Sequence, residues 1–328
     1  MLKKFFKERR NDLITYFIVI ATFVVVQILI DAGFISSLFQ GLMVPICTYI
    51  ILAISLNLVV GILGELSLGH AGFMCVGAFS SAFFSKVMQD VITNASLRFF
   101  LAMLVGIIVA AVFGLVIGIL RLNGDYLAIV TLAFGEIIKN LVNILFIGKD
   151  SKGFHFSTKD ALSLNMEPDG KVIVNGPQGI TGAPKDATFF IGFILVLITL
   201  FIALNIIHSR DGRAIMAIRD NRIAAESIGI NITKYKLMTF TISAAMAGAA
   251  GVLYGHNLSN LTANTNNFGY NMSINILVFV VLGGIGNIRG SIIAAVVLTV
   301  LPELLRGLSD YRMLIYAIVL IVMMLFNW

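Results

Sequence analysis

LITYFIVIATFVVVQILI (13–30) and TFFIGFILVLITLFIALNII (188–207) are long apolar runs without a charged side chain. Each has the length, ~20 residues, that an α-helix needs to cross a hydrocarbon core. Similar runs follow at 42–60, 72–88, 97–120, 126–147, 237–255, 272–289, 290–305 and 313–326, so the spacing predicts about ten transmembrane helices. The stretch 272–305 also admits one span plus a re-entrant helix, because glycine interrupts its short runs. Only 12% of the 328 residues are charged, about half the ~25% of a soluble domain. A backbone inside lipid must satisfy its own polar groups, and helices do so within each segment. The expected fold is therefore an all-α polytopic membrane bundle: a short arm at 1–12, then a single transmembrane domain over 13–328.

Charge sets the orientation. The arm holds Lys3, Lys4, Lys7, Arg9 and Arg10, and the polar segment 208–236 holds Arg210, Arg213, Arg219, Arg222, Lys234 and Lys236. Lys and Arg concentrate in cytoplasmic loops, which explains the net charge of +6 without nucleic-acid binding. The loop 148–187 balances Lys149, Lys152, Lys159, Lys171 and Lys185 against Asp150, Asp160, Glu167, Asp169 and Asp186, and is expected outside. Span count and charge agree, with both termini in the cytoplasm. The first apolar run lacks a small-x-small cleavage site after Ile30 and reads as a retained span. Cys47 and Cys75 lie in apolar stretches without motif spacing and read as small buried hydrophobes. His70, His155, His208 and His256 fall in four separate segments, so neither a metal set nor a catalytic triad is expected.

Two segments differ from ordinary spans. In GILGELSLGHAGF, Gly61, Gly64, Gly69 and Gly72 surround Glu65 and His70; in VLGGIGNIRGSIIAA, Gly283, Gly284, Gly286 and Gly290 surround Asn287 and Arg289. Glycine-broken helices at membrane depth are tolerated where they line a cavity or are buried in protein. Close helix packing through small residues is the alternative. Glu136, Lys139, Asn140 and Asn143 share one face of the run 126–147 by their i, i+3, i+4, i+7 spacing. Charge at mid-bilayer is expensive, so Glu136 and Lys139 are expected to face the interior or each other. Glu65, His70, Glu136, Lys139 and Asn140 are the candidate pathway residues.

DGRAIMAIRDNRIAAESIGINITKYK (211–236) is too polar to span, yet Ile215, Ile218, Ala225 and Ile228 recur near helical spacing. Asp220-Asn221 predicts a break and cap between two short helices, and Gly229 a stop. Such helices suit a groove on a partner, or the lipid headgroups. This segment, with the span that follows it, resembles the coupling segment of ATP-binding-cassette importer permeases, and within them the branched-chain amino acid (Liv-type) permeases. SLNLVVGILGELSLGHAGFMCVGAF (55–79), NGPQGITGAP (175–184) and VLGGIGNIRGSIIAAVVLTVLPELLR (281–306) match that family in order, and the NGPQGITG stretch suggests its longer, LivM-like type. The chain departs from the family pattern at Arg289.

The resemblance implies a type II-like importer permease bundle in a bacterial cytoplasmic membrane. Its partners would be a second homologous permease, two cytosolic ATPases carrying ATP and magnesium, and an extracytoplasmic substrate-binding protein. No G-x-x-x-x-G-K-[ST] loop occurs in the chain, so no nucleotide cofactor and no enzyme activity are expected here. Arg213, Arg219, Asn221, Ala224, Ala225, Glu226 and Gly229 would couple to the ATPase, and Gly176, Gln178, Gly179 and Gly182 would meet the binding protein. Urea, short amides or nucleosides are alternative cargoes. A stand-alone ion-coupled transporter is the reading from another class, and it gives 208–236 no role.

Overall fold

The computed structural model describes residues 10–34, 36–120, 124–168, 170–311 and scattered positions from 314 to 325. Most of the arm 1–12 and of the expected span 313–326 lies outside the described residues. Among those described, the helices are α1 (Arg10–Asp31), α2 (Ser37–Asn57), α3 (His70–Val87), α4 (Ala95–Ile119), α5 (Asp125–Ile144), α6 (Phe189–His208), α7 (Arg210–Asp220), α8 (Arg222–Ser227), α9 (Ile232–Gly255), α10 (Thr265–Phe268), α11 (Tyr270–Gly283) and α12 (Ile288–Leu304). A π-helical turn, Leu58–Leu63, extends α2.

Seven of these helices are long and apolar enough to cross a membrane: α1, α2 with its extension, α4, α5, α6, α9 and α12. The sequence predicts about ten. The shortfall has local causes. Helix α11 has 14 residues and reaches about 21 Å, short of the ~30 Å hydrocarbon thickness. Helix α3 carries Ser80, Ser81, Ser85 and Lys86 in its second half.

Helix α9 occupies the centre of the bundle, with Ala244, Ala247, Ala250, Val252 and Leu253 fully buried. Small residues let its backbone approach α3 and α4 closely. A Cβ at Gly77 would lie 2.3 Å from the Gly248 carbonyl oxygen, and one at Gly251 would lie 2.1 Å from that of Met74. Helix α4 meets α9 through the buried stripe Ala102, Gly106, Ala110, Gly114 and Gly118. On the far side Phe100, Ile108, Val112 and Ile119 are exposed, as lipid-facing side chains would be. Helix α1 is attached more lightly, through Phe23 stacked on Phe193 at a centroid distance of 3.8 Å.

The chain is mostly helical but not all-α. Strand β1 (Phe146–Asp150) follows α5 directly, so the expected span 126–147 stops at Ile144. With β2 (Gly153–Ser157) and β3 (Lys171–Asn175) it forms an antiparallel sheet of order β2-β1-β3. Ile147 pairs with Phe156 on one side and Val174 on the other. The β1–β2 turn closes because the Asp150 carboxylate accepts from the Lys152 and Gly153 amides, at 2.8 and 3.1 Å. A second, two-stranded sheet pairs β4 (Ile180–Thr181) with β5 (Asn260–Leu261). Five-residue strands with polar turns lack the length that marks a span, and in a search for spans they read as loop.

Candidate functional site

The two glycine-rich segments meet each other. Helix α2 ends in its π-turn, and Gly64 leaves helical geometry with φ +78°. The second break follows α11, where Gly284 and Gly286 take φ +91° and +84°. Side chains with a Cβ rarely adopt these angles. A Cβ at Gly61 would lie 2.4 Å from the Gly286 nitrogen, and one at Gly290 would lie 1.6 Å from the Gly283 carbonyl oxygen. Asn57, fully buried, joins the breaks: its Oδ1 accepts from the Gly286 amide at 2.9 Å and its Nδ2 donates to Ser291 Oγ at 2.8 Å.

Helix α7 and the start of α9 grip the first of these breaks, at the end of the bundle opposite the sheets, and α8 lies between them in the chain. Ser209 caps α7 by accepting from the Gly212 amide at 2.9 Å, and Asn221 caps α8 by accepting from the Ala224 amide at 3.0 Å. Each cap satisfies an N–H that has no partner within its helix. Gly229 closes α8 with φ +87°. Ile215, Ile218 and Ala225 are buried, whereas Ile228, expected on the same face, is 76% exposed beside Ile223 at 82%. The apolar face is narrower than the sequence pattern implies, because the chain turns at Gly229 and buries Ile232 instead.

Arg219 reaches from α7 into the membrane part. Its Nη1 donates to the Gly61 carbonyl oxygen at 2.9 Å, while Nε and Nη2 donate to Asp220 Oδ1 at 3.1 and 3.0 Å. A Cβ at Gly64 would lie 2.5 Å from Arg219 Cγ, so glycine makes room for the arginine stem. At the other end of the segment, Lys236 forms an ion pair with Glu65, whose second oxygen accepts from the Gly124 amide at 3.0 Å. The side chains of this pair are 7% and 13% exposed. Arg219, at the close of α7, and Lys236, at the end of the segment, therefore both hold the turn 61–65. Arg213 donates to the His208 carbonyl oxygen at 3.3 Å and is otherwise exposed, as are Asn221, Ala224 and Glu226.

The candidate pathway residues separate into three places. Glu65 belongs to the grip just described. His70 is buried at the start of α3, its Nε2 within 3.0 Å of Ser55 Oγ and 3.3 Å of Ser243 Oγ. Glu136 and Lys139 pair with each other, as the spacing predicts. Glu136 also accepts from the Tyr270 amide at 2.8 Å, and Lys139 donates to Thr265 Oγ1 at 3.3 Å, so the pair fastens α10 and α11 to α5. Asn143 joins that attachment through the Ala263 carbonyl at 2.8 Å, but Asn140 turns to the exposed side.

At the sheet end, Gly176 and Gly179 are buried rather than presented outward. A Cβ at Gly179 would lie 1.9 Å from the Leu261 carbonyl oxygen, so this glycine lets the two sheets close. Gln178 and Gly182 are exposed. Three attachments escaped the sequence reading. Lys86 Nζ donates to the carbonyls of Thr181, Val172 and Ile173 at 2.8, 3.2 and 3.4 Å. Arg98 pairs with Asp186 at 3.0 Å, and the buried His256 ring packs edge-on to Phe99. Long-range partners of this kind leave no local signal. Among the described residues no cluster of His, Cys, Asp and Glu could hold a metal ion, and Cys47 and Cys75 are free and buried.

Residues 38–326 match the family model described as branched-chain amino acid transport system / permease component. The chain is 35% identical over 290 residues to the high-affinity branched-chain amino acid transport system permease protein LivM of Salmonella typhimurium, covering 85% of this chain and 66% of that protein. LivM of Escherichia coli K12 is similar to the same extent. The chain thus spans just under two thirds of the length of these relatives. The fructose import permease protein FruG of Bifidobacterium longum is 27% identical over 281 residues, covering 84% of this chain and 76% of that protein. No solved structure matches the chain.

Proposed function

Because the chain belongs to the family of branched-chain amino acid transport permease components, we propose that it is one of two membrane subunits of an ATP-driven importer for leucine, isoleucine and valine. In this reading it lies in a bacterial cytoplasmic membrane beside a second, homologous permease. Two cytosolic ATPases dock beneath the pair, one of them on α7 and α8 of this chain, and an external binding protein delivers the solute to the sheets around Gln178 and Gly182. Counting α3, the apolar run 313–326 and the α11 segment, short but buried on one face within the bundle, as further crossings would make ten and return the chain to the side on which it began.

The observation that carries this reading is the double attachment of 209–236 to the turn 61–65, through Arg219 and through Lys236. Closure of the ATPases would displace α7 and α8. The displacement reaches Gly61, and from there Asn57 and the second break at Gly286. A lone secondary transporter would need no such lever. Ala225, 2% exposed, and Gly229, at φ +87°, hold the two-helix shape. Replacing both with bulky residues is expected to release the ATPase during purification and to abolish its stimulation. Normal co-purification and stimulation in that variant would refute the docking assignment.

The cargo is tested by uptake of radiolabelled leucine in cells lacking the chain and in complemented cells. The expected result is vanadate-sensitive uptake that returns with the gene and is competed by isoleucine and valine. Similarity to a fructose import permease supports a second reading, in which the architecture is the same and the cargo differs. Unlabelled fructose, urea and nucleosides in the same competition assay separate the two.

A further inference from the structure

Helices α2 and α12 each contain an internal proline, Pro45 and Pro302. Proline has no N–H, so the carbonyl four residues earlier loses its helical donor. Those carbonyls belong to Gly41 and Leu298. Both residues, and both prolines, line the same cavity of about 600 Å³, a volume within the ~300–1,000 Å³ of small-molecule sites. The cavity lies between α2, α9, α11 and α12, near the end of the bundle that carries the sheets, since β5 follows α9 directly.

Among the described residues that line it, none carries a charge. Hydroxyl and amide groups come from Tyr49, Tyr254, Asn257, Asn275 and Thr299, and apolar surface from Leu42, Met272 and Phe279. A net charge would find no counter-charge here and would pay for its desolvation. A neutral zwitterion with an apolar side chain fits on every count. Its ammonium needs acceptors without neighbouring positive charge, and backbone carbonyls that have lost their i+4 amide donor to proline supply them, as unwound carbonyls do for coupling ions in broken-helix transporters. Its carboxylate can take donors from the asparagine amides and tyrosine hydroxyls.

We propose that this cavity is a station for a neutral, apolar amino acid on its way through the membrane, and that the carbonyls freed by Pro45 and Pro302 receive its ammonium group. The cargo class rests on the function proposed above. The station does not involve Glu65, His70, Glu136, Lys139 or Asn140, none of which lines the cavity.

The test uses the assembled importer carrying Thr299→Cys, in which the native Cys47 and Cys75 are buried. A maleimide should label the new thiol, and leucine should slow the labelling in a saturable way. Adding Pro45→Ala and Pro302→Ala returns an N–H to each carbonyl. Half-protection should then require at least about tenfold more leucine, the order expected when hydrogen bonds to a charged group are lost. Absent labelling, labelling indifferent to leucine in a complex that still transports it, or unchanged half-protection in the proline variant would each overturn the proposal. Were the complex to carry a different neutral solute, the same assay run with that solute separates failure of the cargo assignment from failure of the cavity.

Discussion

The two ends of this bundle are held in opposite ways. At the sheet end, 145–183 is fixed by backbone pairing in two sheets, by the fit of Gly179 against Leu261, and by three carbonyl bonds from one lysine, Lys86. At the other end, the 209–236 segment is held by a small buried face, Ile215, Ile218 and Ala225, and by two charged contacts with one turn. The first arrangement distributes its attachment and resists displacement. The second concentrates it at Gly61 and Glu65, so a displacement of α7 arrives at a single place. Packed elements shift between discrete arrangements rather than deform continuously, and a concentrated attachment selects which element shifts. In the proposed importer the sheet end would serve as a platform and the helical pair as a lever.

Gly61→Val is the most disruptive way to break this contrast. Its Cβ would fall 2.0 Å from Asn57 Oδ1 and 2.4 Å from the Gly286 nitrogen, forcing apart the two breaks on which the lever acts. Overpacking costs about 1–3 kcal/mol and more where backbone must move, so the expected outcome is loss of folded protein from the membrane, seen as a collapsed monodisperse peak in size-exclusion chromatography. An unchanged peak would mean that the breaks do not touch. Lys86→Met should act less severely, because the sheets keep their own pairing. The expected result is faster proteolytic cleavage within 148–187, with the helical core intact and ATPase docking retained. Cleavage at the wild-type rate would show that Lys86 does not hold the platform.

The smallest expected effect is a pH dependence at the sheet end. Burial of Asp150 opposes its ionisation, but the Glu167 and Lys152 amides and the His155 ring outweigh it and hold the carboxyl below its ordinary range. A group with a depressed folded pKa contributes stability that is present above its unfolded value, ~3.9 for Asp, and is lost as pH falls through the folded value. Protection of the loop from proteolysis by an acid-tolerant protease should therefore be full at pH 5–7 and decline below about pH 4. Asp150→Asn should be less protected at neutral pH and lose part of that decline. Identical profiles for the two proteins would remove Asp150 from the account.

The same contrast explains what the sequence made legible. The helical pair could be read almost to its residues, because caps, a stop glycine and apolar spacing are local signals: Asn221 caps and Gly229 stops where expected. The glycine-rich segments were legible as breaks, but their mutual contact was not, since Asn57 and Gly286 lie 229 residues apart. Arg219 read as part of a polar face because its acceptor, the Gly61 carbonyl, is 158 residues away. Glu65 stands out as a charge inside an apolar run, but its partner Lys236 lies far along the chain and leaves no local signal. Asn140 shared a helical face with Lys139 by spacing, yet the neighbouring segment 263–270 covers only part of that face.

Arg219→Ala tests the lever most directly. The guanidinium joins α7 to the Gly61 carbonyl, and a hydrogen bond from a charged group is worth about 1.5–3 kcal/mol. The measurement is the number of leucine molecules imported per ATP hydrolysed by the complete importer in proteoliposomes, wild type against variant. The account predicts that ATP hydrolysis persists while import per ATP falls by about tenfold or more, as expected for a loss of ~1.4 kcal/mol or greater from the coupling. A variant that imports leucine at the wild-type ratio would contradict it.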